Sequence, residues 1–310
     1  MKIQPILQQK PPYLQLLFFM MILLASLILV NLLGVLLAIP FFGRGFVDGL
    51  SAGYNLSSPE VIAKLKYLQI VNQVAMFLVP VAVFALFSGG VFRYVKLSAK
   101  IPWLLLLLAV CVMVVGLPFI NWIGEVNANL SLPRAFSGVE QWMRASETEA
   151  DNITTAFLST TTLGGFLVNL LMIAVLPALG EELFFRGTLQ KIFSKWFKNI
   201  HVSVLVTAFI FSAIHFQFFG FLPRFLLGMF LGYAFYWARN LWVPIAIHFV
   251  NNALAVVVAF LAARGAIQAN FDTFGSSSSA WIVLLSTLTV AVLVFLLYRL
   301  RSTPQVDTSS

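Results

Sequence analysis

Long runs of residues with almost no charge recur along this chain, and they limit its possible folds more than any motif does. The first, LLFFMMILLASLILVNLLGVLLAIPFF, covers residues 16–42. A helix that crosses a bilayer needs about 20 predominantly apolar residues. Eight such candidates lie near 13–40, 67–88, 102–123, 161–186, 202–218, 221–238, 241–263 and 280–300. Across all 310 residues 60% are hydrophobic and 10% are charged, whereas a soluble domain carries about a quarter charged residues. The expectation is an all-α polytopic membrane protein, a bundle of about eight transmembrane helices. The first run is too long for a secretory signal and lacks a small-residue cleavage site, so it reads as an anchored helix. The run at 202–218 is short and contains a histidine, which makes it the weakest of the eight.

Charge gives the orientation, since short cytoplasmic loops carry the excess of Lys and Arg. With the N-terminus inside, the inner segments hold Lys2, Lys10, Arg93, Lys96, Lys100, Arg186, Lys191, Lys195, Lys198, Arg239, Arg299 and Arg301, which is 12 of the 19 basic residues. Glu125, Glu140, Glu147, Glu149 and Asp151 share one outer loop, 124–160. Both termini are therefore expected in the cytoplasm. Within that loop FSGVEQWMRASETEA has helical spacing, with Trp142 and Met143 placed to rest on the bilayer surface. The tail RSTPQVDTSS is polar and reads as disordered. The net charge of +8 is dispersed among loops, so topology explains it and no nucleic-acid partner is expected. A lone cysteine, Cys111, excludes an internal disulfide and a Cys-ligated zinc site.

The residues that do not belong in lipid carry the chemistry. In LPALGEELFFRG, residues 176–187, Pro177 should bend the helix and Gly180 should admit a close neighbour. Placing a carboxylate mid-bilayer costs several kcal/mol, yet Glu181 and Glu182 stand there side by side. Glu182 and Arg186 are four apart and share a face, so they can pair. Glu181, about 100° around the helix, has no partner in its own segment. His215 lies among apolar and aromatic neighbours, with Phe211 on its face at i−4. The turn after this helix is centred near residue 198, and Glu181 and His215 are equally far from it, so an antiparallel pair brings them to one depth. His248 and Asn252 share a face in the seventh run, while His201 reads as interfacial. A buried acid, two imidazoles and an amide together make the inventory for attack of water on an amide carbonyl.

The ordered set EELFFR (181–186), FSAIH (211–215) and HFVNN (248–252) resembles the CPBP family of intramembrane proteases, the type II CAAX prenyl endopeptidase, bacteriocin-processing and abortive-infection group. The resemblance covers about 161–263. It implies that Glu181 activates water, that His215 helps to hold it, and that His248 and Asn252 stabilise the oxyanion, with Glu182, Arg186 and Phe211 in support. It leaves zinc open, with Glu181, His215 and His248 as three N/O ligands, although no HExxH pair lies on one helix. The implied partners are membrane lipid and a membrane-associated protein or peptide substrate, lipidated or not, cleaved at a site open to the cytoplasm. The implied organisation is an N-terminal region of transmembrane helices and acidic loop over residues 1–160, a catalytic four-helix core over 161–263, and a last helix with its tail over 264–310. A proton-coupled transporter using the same acids and imidazoles, or a non-catalytic membrane scaffold or immunity protein, stands as the alternative.

Overall fold

The computed structural model describes residues 6–46, 55–97, 100–268 and 280–301. The polar tail beyond residue 301 lies outside the described residues. Every regular element among them is helical. The main ones are α1 (Pro12–Phe42), α2 (Pro59–Leu86), α3 (Trp103–Val115), α4 (Leu117–Ala128), α5 (Ser137–Leu158), α6 (Leu163–Phe197), α7 (Ile200–Ala213), α8 (Phe221–Ala238), α9 (Trp242–Ala263) and α10 (Ala280–Arg299). The chain is an integral, multi-pass, all-α membrane protein.

The count of eight spans is not reached by length and composition. Among the described residues five helices are long and apolar enough to cross a bilayer: α1, α2, α6, α9 and α10. A sixth span results if α3 and α4 are taken together, which Gly116 and Pro118 interrupt with a 47° bend. The run at 202–218 yields only the 14-residue α7, about 21 Å long against a hydrocarbon core of about 30 Å. The run at 221–238 forms the 18-residue α8, which carries Arg224 in its first turn.

Local chemistry sets the helix ends. Ser58 caps α2 before Pro59, Thr162 caps α6 through the Gly165 amide, and the Asn199 side chain accepts from the amides of His201 and Val202 to start α7. The α6–α7 connection turns at Lys198, where the sequence placed it, with a left-handed φ of 52°. Two apolar cores result. One joins α1, α2, α6 and α7 through Phe19, Phe77, Phe84, Phe184, Phe185 and Phe211, and the other joins α3, α8, α9 and α10. The outward residues of α1 and α10, such as Leu24, Ile28, Leu284 and Phe295, are exposed, as lipid-facing side chains must be.

The connections segregate into two ends. At one, Leu241 N–H donates to the Lys96 carbonyl, Asn240 to that of Lys100 and Leu7 N–H to that of Phe87. At the other, Asn127 donates to the Phe218 carbonyl, Glu147 accepts from Phe219 N–H, and Lys66 donates to the carbonyl of Phe157 in α5. The first end is basic. The second carries the acidic residues of α5, which is helical as its spacing requires, with Trp142 packed 5.4 Å from Phe218.

Candidate active site around Glu181 and Glu182

Pro177 does not break α6, although its position suggested a bend; the helix runs on for 35 residues. A π-helical turn, Leu170–Val175, absorbs the proline. In it the Leu176 amide bonds to the Leu171 carbonyl instead of Met172, and Pro177 has no N–H to offer. The carbonyls of Met172 and Ile173 therefore lose their helical donors. Side chains from two other helices replace them: Gln73 of α2 donates to Met172 at 3.0 Å, and Asn252 of α9 donates to Ile173 at 3.0 Å. Buried backbone acceptors must be paired, and here the pairing ties α2, α6 and α9 together about two turns before the acids. Gly180 admits that approach, because a Cβ there would lie 2.9 Å from Cβ of Phe77.

The two acids then diverge. Glu182 is fully buried; its Oε1 accepts from Arg186 at 2.6 Å and from Nδ1 of His248 at 2.9 Å. Arg186 is also fully buried, donates to the Gly228 carbonyl of α8 at 2.9 Å, and lays its guanidinium 4.8 Å from the centre of the Phe211 ring. Gly228 is needed there, since a Cβ would sit 3.1 Å from both Ala208 and Phe211. The expected i,i+4 pair is thus present, and it holds an imidazole that the sequence did not connect to it. Glu181 has no such set. Its Oε2, like that of Glu182, is buried without a hydrogen-bond partner, and it lies 3.9 Å from Nε2 of His248.

Glu181, His215, His248 and Asn252 all line one cavity of about 690 Å³, with Phe211 in its wall. His215 follows the end of α7, and its Nδ1 lies 2.7 Å from the Phe211 carbonyl. A carbonyl oxygen only accepts, so Nδ1 carries the proton and Nε2 is left as an acceptor. Equal spacing about the α6–α7 turn does bring Glu181 and His215 to one cavity, but the ion-pair contact that Glu181 makes is with His248. Asn252 gives one amide hydrogen to Ile173 and accepts from Asn251 at 2.9 Å, which leaves one N–H to offer.

Among the described residues no group of three His, Cys, Asp or Glu side chains is disposed to hold a metal ion. As placed, Glu181, His215 and His248 do not fit a zinc ligand set. Gln73 went unnoticed in the sequence; the signal was an amide inside the apolar run VNQVAMFLVP. The cavity wall also includes Ala150, Ile153, Thr154 and Phe157 of α5. If the basic end faces the cytoplasm, the cavity borders the outer loop, and the two expectations about sidedness pull apart.

Residues 163–254 match the family model described as Type II CAAX prenyl endopeptidase Rce1-like. This match bears out the family resemblance carried by the three motifs and spans all of them. An uncharacterised protein of Bacillus subtilis (strain 168), YpbD, is 29% identical over 90 residues, which cover 28% of this chain and 43% of that protein. No solved structure matches.

Proposed function

We propose that the chain is an intramembrane endopeptidase that hydrolyses a peptide bond of a membrane-associated substrate, with water activated by Glu181. The single observation that carries this reading is that Glu181, whose carboxylate is not tied into the helix framework by a hydrogen bond, lines one cavity with His215, His248 and Asn252. Glu181 takes a proton from water while Nε2 of His215 accepts the other hydrogen and fixes its direction. The water oxygen adds to the carbonyl carbon. His248, whose Nδ1 proton points to Glu182, offers a hydrogen from Nε2 only as an imidazolium, and Glu182 holds the compensating negative charge. That hydrogen and the remaining N–H of Asn252 receive the oxyanion. On collapse the C–N bond breaks and Glu181 returns its proton to the leaving amine.

An apolar recess of about 330 Å³ adjoins the cavity and shares Met113, Ile120 and Leu227 with it. It suits the hydrocarbon portion of a substrate, whether a transmembrane segment or an attached lipid. The family description supports CAAX-like processing, and the recess agrees with it.

The test compares membrane peptides from cells carrying the active protein or Glu181→Gln. Turnover of the processed peptide should fall by about 10²–10⁴, the ordinary contribution of a general base, with yield and thermal stability unchanged. Full activity in that variant would end the assignment. Cysteine tagging of residues 140–150 and 191–198 would show on which side the cavity opens.

A further inference from the structure

The second cavity lies at the basic end, away from the acids. It measures about 580 Å³ and is lined by Lys96, Lys191, Lys195, Lys198 and Arg239, with Phe235 and Tyr236 among its apolar walls. No Asp or Glu is among its lining residues. Among the described residues four non-glycine residues have positive φ, and three of them are Lys96 (62°), Lys198 (52°) and Arg239 (53°). Lys198 and Arg239 cap the C-termini of α6 and α8 in the left-handed conformation, where Gly or Asn is usual. A cation at a helix C-terminus is favourable by itself, and basic residues are expected at a cytoplasmic end. Neither reason requires long cations in a strained conformation to converge on one recess. Lys191 forms the floor, bonded to the Tyr94 carbonyl and close to the rings of Tyr94 and Phe235. Lys195 and Lys198 stand exposed at the mouth beside exposed Trp196, Phe197 and Tyr236, aromatics of the kind that mark the membrane–water boundary.

We infer that this recess is a binding site for the phosphate-bearing headgroup of an anionic phospholipid, seated between the C-terminal ends of α6 and α8 by Lys195, Lys198 and Arg239. Basic pockets between membrane helices bind such headgroups through several cations at once. Tyr236 and the outward face of α7, which exposes Val202 and Leu205, offer the adjoining surface for acyl chains. The site is independent of the peptidase reading.

The experiment uses the full chain in detergent, stripped of lipid and then mixed with phosphatidylglycerol or phosphatidylcholine. Retained lipid is read by native mass spectrometry and thermal stability in parallel. The wild type should keep phosphatidylglycerol in preference to phosphatidylcholine. A Lys195→Gln, Lys198→Asn, Arg239→Asn variant keeps residues that tolerate the left-handed backbone, and should lose about a hundredfold in that binding, the ordinary share of three cations. A second variant, Arg299→Gln with Arg301→Gln, removes two cations outside the cavity and should bind as the wild type does. Equal binding by the triple variant, or equal loss in the second variant, would overturn the site. Displacement of phosphatidylglycerol by millimolar inorganic phosphate would replace the lipid headgroup with a soluble anion.

Discussion

Two adjacent carboxylates on α6 divide the molecule into two kinds of region. Glu182 is held through Oε1 by Arg186 and Nδ1 of His248 and, through Arg186, reaches the Gly228 carbonyl. Glu181 makes none of these bonds and faces a cavity, and in both acids Oε2 is buried without a hydrogen-bond partner. Both acids are buried in the same turn of the same helix, so burial alone does not mark a reactive group. What differs is whether the carboxylate is tied to neighbouring helices through its other oxygen, as in Glu182, or lines a cavity, as in Glu181. On the Glu182 side the polar atoms hold α6, α8 and α9 together. On the Glu181 side they are held by that framework and remain available.

The sharpest way to break this contrast is Arg186→Ala. It leaves Glu182 buried without its cation, and losing one partner of a buried pair costs about 3–5 kcal/mol. Thermal melting in detergent should fall accordingly, with activity lost through unfolding. A variant that melts with the wild type would mean that the Glu182 side is no more structural than the Glu181 side.

Asn252→Ala tests a residue that belongs to both sides. One N–H pairs with the Ile173 carbonyl, and the other is the proposed oxyanion donor. Loss of such a donor lowers kcat by about 10²–10³. Gln73→Leu is its counterpart, because Gln73 serves the neighbouring Met172 carbonyl on the same π-turn. An unpaired buried carbonyl costs about 1–3 kcal/mol, so this variant should lose stability while kcat per folded molecule changes far less than in Asn252→Ala. Equal kcat losses in the two variants would assign Asn252 to the clamp alone.

Much of this arrangement was legible in the chain, and the reasons differ by residue. The long helices follow from apolar runs that have no other way to satisfy their surroundings. The Glu182–Arg186 pair follows from helical geometry, since i and i+4 always share a face. Glu181 stood out as an acid with no local partner. The bond from His248 to Glu182 was not legible, because it joins residues 66 positions apart and depends on how α9 rotates against α6. Pro177 announced a disturbance, but whether the helix would bend or form a π-turn depended on Gln73 and Asn252 arriving to pair the released carbonyls. The run at 202–218, the weakest of the eight, falls short of a span because its apolar residues continue past the end of α7, where the backbone turns at Phe216 with a φ of 52°.

The smallest expected effect concerns α5, which borders the Glu181 cavity and exposes most of its charge. Glu140 accepts from Arg144 at 2.8 Å and from the Leu132 amide at 2.9 Å, and the Arg144 guanidinium lies 4.1 Å from the Phe219 ring centre. The hydrogen bond from Arg144, then that from Leu132, holds the Glu140 carboxyl below its ordinary range. A depressed acid contributes stability that is present above its unfolded pKa and lost as pH falls through its folded pKa. Acidification below the usual carboxylate range should therefore loosen the start of α5, while the Glu182–Arg186 pair, buried from solvent, keeps the helices below it assembled. Hydrogen exchange of the Leu132 amide should accelerate, relative to the intrinsic rate, as pH falls below 4.5 in the wild type, by only a few-fold for so exposed a contact. Glu140→Gln should remove that dependence. If the variant keeps it in full, the Glu140 carboxylate is not what holds the Leu132 amide at the start of α5.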